Sequence, residues 1–560
     1  MSEILQMGQI EIPRPPRRTQ SNGLRRLVRG ALLAAAFSGS AAVLASAAVA
    51  ADKDWQRDEV KREFNKTVQW RSGQRVCVVH SLGSVNVRTH SANEVQLRVE
   101  MRGSASNRGD AEEFIQQIEI QVEETVAGVC FRTKYPEQQS RRRGSWSFSA
   151  SYDLLVPAAA PLDLRNSFGS MSVTGTKASA VVVNSHGSLR FLDGTGSHRI
   201  ENTFGSVEVS NNQGDVEVNG GNGSMSVTQI QGSARLRNRF ARVTASGISR
   251  NFTLRNDNGN VNVTGVGGTA SITNSFGSIE LSDVGGAADA QNSNGRIIAR
   301  NLRGGAVLRT SFGNMEVMDV TGDAQITSSN ARVLIRNVSG RADVTTSFGS
   351  VDASHVQKGI RVVNGNGGIL LADIGGDTFA RTNFGTIRAS RIEGSLTAEN
   401  SNGSVNARDI KGPVTVRTTF GGVTVDGVAG KVDVDNENGS VTIAGVAQRS
   451  GANCNSIVAR TSFSPVRIFL PADAAYDVTA RTSFGRIRSD FPLTMSSGTQ
   501  LGGSSVTSVA ITSKLGAGGC ELRLTNANGN IDLLDASGSS ALRDLRERDK
   551  DKDKDKDKKN

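Results

Sequence analysis

Short runs of alternating apolar and polar residues, cut by glycine, recur through most of the chain. Within 402–420, Val405 and Ala407 alternate with polar residues, as do Val414 and Val416. A period of two marks half-buried strands. Gly403 and Gly412 stand nine residues apart and divide the segment into two β arms joined by turns that glycine permits. A helical unit would need apolar residues at 3.6 spacing and far fewer glycines. The pattern predicts two or three short strands per unit.

The unit repeats without slippage. Phe168, Phe204, Phe240, Phe276, Phe312, Phe348, Phe384 and Phe420 lie 36 residues apart, and His186, Asn222, Asn258, Asn294, Asn330, Asn366, Asn402 and Asn438 fall midway between them. The repeat is therefore 18 residues in two alternating flavours, with sixteen consecutive marker slots. Each unit can bury its apolar face only against its neighbours, which defines a solenoid. The predicted fold is an all-β, parallel β-solenoid (β-helix) of about sixteen regular 18-residue coils plus irregular β-rich caps, roughly 75 Å long at strand spacing. A left-handed hexapeptide helix would repeat its apolar signature three times per coil. Glycine recurring after nine residues favours a flattened, two-sheet coil instead, and the handedness of parallel crossovers favours right-handed winding.

Two residues before each marker the chain is almost always Asn, Thr or Ser, as at Asn166, Asn274, Thr346 and Asn436. Stacked in register, these side chains are expected to form a structural hydrogen-bond ladder. The glycine after the marker becomes Ala241 and Ala331 in two coils. Either those turns differ or the position does not need positive φ, which would cost an alanine roughly 1–2 kcal/mol.

The ends read differently from the array. Arg25, Arg26 and Arg29 precede an Ala-, Leu- and Val-rich stretch ending Ala48-Val49-Ala50, the pattern of a signal peptide over residues 1–50. Cleavage leaves no stable transmembrane segment, whereas retention would make the stretch an anchor. Residues 51–160 read as a β-rich N-terminal cap with a helical segment near Asp110 to Gln117 and a basic loop at Arg141, Arg142 and Arg143. Residues 161–447 are the regular solenoid, 448–540 irregular C-terminal coils and cap, and 541–560 a charged, disordered tail. Cys77 and Cys130 precede the array while Cys454 and Cys520 follow it. In an exported protein these are disulfide candidates. Of the three possible pairings, one staple within each end is preferred, because solenoids fray there.

The segment Tyr152-Asp153-Leu154-Leu155-Val156-Pro157, then Leu162 to Ser170, units such as Val344 to Val351, and a closing run from Phe469-Leu470-Pro471 to Phe491-Pro492 together resemble the DUF4097 family of adhesin-like bacterial β-solenoids. The resemblance spans about residues 75 to 535. The chain departs from the family pattern in using Phe so regularly before the turn glycine. The resemblance implies a secreted, periplasmic or cell-surface protein, with no catalytic residues to carry over.

Charge and chemistry narrow the function. The net charge of +11 falls to about +7 once the six arginines and two glutamates of residues 1–50 are set aside. Basic residues spread along a rod, in an exported chain, argue against nucleic acid. Arg165, Arg237, Arg309, Arg381 and Arg417 stand three positions before Phe markers, as do Arg460 and Arg481 before Phe463 and Phe484, and Arg255 holds that offset before an Asn. Their parity is opposite to that of the buried valines, so they should point outward. If the Phe rings share that surface, Phe and Arg form a stripe suited to an acidic polysaccharide, lipopolysaccharide or an envelope protein. Otherwise Phe is a corner plug of the core and Arg snorkels over the next coil. Base rates for large apolar side chains favour the plug. The Arg readings stand even.

The rival class is a polysaccharide lyase or hydrolase with its site in an irregular cap. Asp193, Asp283, Asp319, Asp373 and Asp409 share one offset, but they never fall in adjacent coils and turn chemistry explains them. The five histidines show no triad or metal spacing. No cofactor, metal site or catalytic residue is expected.

Overall fold

The computed structural model describes residues 59–105, 107–136, 147–448, 454–494, 500–501, 506–507 and 510–537. The signal segment, the Arg141 to Arg143 loop and the charged tail lie outside the described residues.

Each coil has two strands and two turns. In one, Ala306–Phe312 is followed by Met315–Val320. Ala306, Leu308 and Thr310 point inward from the first arm, and Met315, Val317 and Val320 from the second. The two arms belong to two parallel sheets with the core between them. Strand residues of the array pair with those 18 positions away, as Ala306 does with Ala288 and Ala324. Sixteen such coils run from Leu162 to Val446, confirming the solenoid and its period.

The second arm contains a device that the alternation alone does not show. Strict period two would bury Asp319 after Met315 and Val317, yet Val320 is the buried residue. Asp319 adopts φ 58°, and Asp283, Asn301, Asn337, His355, Asp373, Arg391 and Asp409 at the same offset all lie between φ 54° and 59°. One left-handed residue per coil therefore shifts the parity and turns a final apolar side chain into the core. Asp and Asn tolerate this conformation better than most residues. The shared aspartate offset is thus backbone geometry, as turn chemistry predicted.

The predicted ladder is present, mostly as bonds from side chain to backbone. Asn292 Nδ2 donates to the Gly277 carbonyl of the preceding coil at 2.7 Å, and Asn364 and Asn400 do the same to Gly349 and Gly385. Direct amide-to-amide steps occur at Asn184 to Asn202 and Asn256 to Asn274. The turn glycine is required for space. A Cβ on Gly349 would collide with the carbonyl oxygen of Ala331 in the coil below. The two alanines divide: Ala241 sits at φ 90°, while Ala331 escapes positive φ.

Both ends take in chain from outside the strict array. Arg75–Leu82 pairs in register with Leu162–Phe168, and Val85–His90 with Met171–Thr174, so residues 75–90 form one more coil beneath the first. A long insertion hides it from the 18-residue count. Gly128–Lys134 then lies against Arg75–Leu82, and the Cys77–Cys130 disulfide ties the two. Glu59–Gln69, Glu94–Ser104 and Ser147–Pro157 continue the other sheet with antiparallel pairings. The helix Arg108–Gln116 buries Ala111 and Ile115, with Asn107 capping its N-terminus. At the far end the order is broken: Cys520–Asn526 inserts between Ile457–Thr461 and Tyr476–Thr482, and Ala510–Leu515 closes the edge antiparallel to Tyr476–Thr482. Antiparallel strands thus cover the open edges that a parallel stack would expose.

Candidate functional site

The marker positions form one continuous column at the corner between the two sheets. Phe240, Asn258 and Phe276 pair in register, and the alternation continues to Phe420. The expectation of a buried corner plug fails. The eight array phenylalanines are 44–54% exposed. The reason lies at the strand end. Asn, Thr or Ser two residues earlier fills the inward position and bonds to the turn, leaving the marker side chain outside. Thr310 Oγ1, for example, donates to the Phe312 carbonyl at 3.2 Å.

The column therefore presents aromatic rings every second coil, roughly 10 Å apart by strand spacing, with amide groups between them. Where the intermediate residue is aromatic, the stack closes. The His186 ring lies flat between Phe168 and Phe204, with centroids 4.5 and 4.8 Å away. The slot thus accepts a planar group face-on.

The arginine row flanks this column and is exposed, as its parity required. Its electrostatics are uneven. Arg165 pairs with Asp163 at 3.1 Å, Arg309 with Asp289 at 3.3 Å, and Arg381 with Glu399 at 3.7 Å. Arg417 stands in register between Glu399 and Asp435. Arg460 follows Asp435 in the same row. Toward the C-terminal end the row is an alternation of opposite charges. Among the described residues Arg237 has no such partner. Its in-register neighbour is Arg255, and Arg235 and Arg239 share its face. The strict alternation of Arg235-Leu236-Arg237-Asn238-Arg239 is legible in the sequence, but only Arg237 of the three falls on the offset three before the marker.

The carboxylates of the second arm are occupied with one another's neighbours. Asn301 donates to Asp283 at 3.0 Å, Asn337 to Asp319 at 2.8 Å, and Arg391 to Asp373 at 2.9 Å. The Arg391 guanidinium holds the Asp373 carboxyl below the usual carboxylate range. Among the described residues no three His, Cys, Asp or Glu side chains gather as a metal site would need. Of the four cysteines, Cys77 and Cys130 are bonded as preferred. Cys454 and Cys520 are brought together at the C-terminal end but stand as thiols.

No family model matches the chain, so none supports the DUF4097 resemblance, and no curated protein matches it either. Among solved structures, it is similar to a Clostridium sporogenes protein provisionally assigned to cell adhesion. That match covers 38% of this chain and all of the other, at 12% identity and a TM-score of 0.19, too weak to carry an argument about either fold or function.

Proposed function

We propose that the chain is an exported, non-catalytic β-solenoid serving as an adhesin-like or structural component of a bacterial cell envelope, with the marker column as its binding surface for an acidic glycan. The DUF4097-like sequence pattern and the disulfide at Cys77 and Cys130 support an extracytoplasmic setting. The observation that carries the reading is the exposed line of Phe rings. A regular row of large apolar side chains held about half exposed, outside the core, makes a continuous apolar strip of the kind that marks an interaction surface. Rings alternating with amides suit a glycan, whose sugars offer apolar faces and hydroxyl edges in turn.

The test is binding of the full chain to isolated envelope glycans before and after F276S/F312S/F348S. Loss of binding by a variant that is still folded at the assay temperature supports the reading. Retained binding sinks it.

A further inference from the structure

The coil of Phe240 breaks three local rules at one place. It alone among the described coils carries arginine at every outward position of its first arm, Arg235, Arg237 and Arg239, with Arg242 just past the turn. Arg237 also faces Arg255 in register on the next coil, and like charges directly opposite one another destabilise a sheet. Finally, Ala241 is held at φ 90° where nearly all other coils place glycine, and such strain persists only where the surroundings impose it.

The positive charge is not neutralised from within. None of these five arginines forms an ion pair or side-chain hydrogen bond with the described residues. The nearby acids do not answer them: Glu217, in register with Arg235, is 3.4 Å from Arg199, and Asp257 makes no ion pair with Arg239. Elsewhere in the row Asp163, Asp289 and Glu399 neutralise their arginines. A locally unfavourable arrangement without internal compensation marks a site whose partner is external.

We propose that this coil is the anchoring site for an anionic glycan, one bearing sulfate, phosphate or carboxylate groups. Arg235, Arg237, Arg239 and Arg255 grip the anionic groups through their forked guanidinium donors. The Phe240 ring stacks on a sugar face between the amides of Asn222 and Asn258, its in-register neighbours. The inference rests on the reading of the marker column as a glycan surface and assigns it a centre. The rest of the column guides the chain of sugars, and this coil holds it.

The experiment compares R235S/R237S/R239S with R309S/R381S/R417S in the full chain. Heparin and polygalacturonate serve as anionic probes, dextran as a neutral glycan, and a single-stranded oligonucleotide as the competing polyanion. The first triple should lose at least about tenfold in heparin affinity and most of its salt dependence, while the second stays within about threefold. The first triple should also melt at or above the parent temperature, because it relieves repulsion, whereas a structural role would lower it. Equal losses from both triples, or no loss from the first, overturn the anchoring site while leaving a glycan-binding column standing. Failure of the parent chain to bind any glycan overturns both readings. Oligonucleotide binding as tight as heparin binding, lost in the same triple, overturns the assignment to a glycan.

Discussion

Thr346 and Phe348 lie two residues apart on one strand, yet Thr346 is in the core and Phe348 is half exposed. The Thr346 hydroxyl donates to the Phe348 carbonyl at 3.2 Å. That bond closes the corner from inside and leaves the ring no inward place. The marker is therefore cheap to change and the residues before it are not. Phe312→Ser should cost no more than about 1 kcal/mol, since only part of the ring's apolar area is covered. Leu308→Ala, at a fully buried position of the same strand, should cost about 2–5 kcal/mol. Urea denaturation of the two variants checks the ordering, and a larger loss from Phe312→Ser would restore the corner plug.

The corner also separates two kinds of glycine. Gly349 has φ 119° and backbone of Ala331 directly beneath its missing side chain. Gly368 has an ordinary φ, and a Cβ there would meet its nearest atom, the Thr386 carbonyl oxygen, at 3.6 Å. Gly349→Ala should therefore destabilise by more than the roughly 1–2 kcal/mol of left-handed strain alone, because the stacked coil must also shift. Gly368→Ser, which installs the residue that Ser350 supplies one coil earlier, should be near neutral. Matched thermal melts decide the point.

These cases show how far the sequence could be read. Spacing alone placed Val405, Ala407, Val414 and Val416 on the buried faces and Arg309 outward, because period-two alternation maps directly onto the faces of a strand. It misjudged Phe312, which shares the parity of the core but stands where the strand turns away. It could not see the parity shift at Asp319, which depends on a backbone torsion. Nor could it show that residues 75–90 complete a coil across a long insertion, or that the coil-like segment at 525–531 enters the stack out of order. The Arg237 and Arg255 contact was legible in hindsight, since residues 18 apart in this array are neighbours. The neutralisation of Arg309 by Asp289, across coils and rows, was harder to see.

Two buried imidazoles make the fold acid-sensitive. His80 occupies the ladder slot of the lowest full coil, in register with Asn166, and its ring packs on Tyr152 with centroids 4.6 Å apart. His198 lies in the core against Phe191. Burial pushes both down to about 4 from an ordinary 6.5. Below pH 6.5 the unfolded chain gains protons that the folded chain refuses until near pH 4, so stability falls as pH drops through that window and is flat above it. Between pH 7.5 and pH 5 the loss should be on the order of 2 kcal/mol for each ring. Guanidinium midpoints at the two pH values measure it. His80→Asn, which restores the ladder's usual residue, should remove about half of the difference.

Cys454 and Cys520 supply the last prediction. Cys520 is buried at the start of the strand that inserts out of order, and its thiol is pushed up to about 11 by burial and by Cys454 beside it. The Cys454 thiol donates to the carbonyl of Gly519, immediately before that strand. A bond between the two sulfurs would tie the inserted strand to the loop before Ile457–Thr461 and close a long stretch of chain, worth about 4 kcal/mol. Chain recovered from an oxidising compartment should therefore show no free thiol after denaturation, and reduced cytosolic chain all four. Because thiolate is the attacking form, air oxidation of the reduced protein should be slow at neutral pH and accelerate in base. The oxidised form should melt higher than C454S. Two titratable thiols in exported protein would show that this end is held by packing alone.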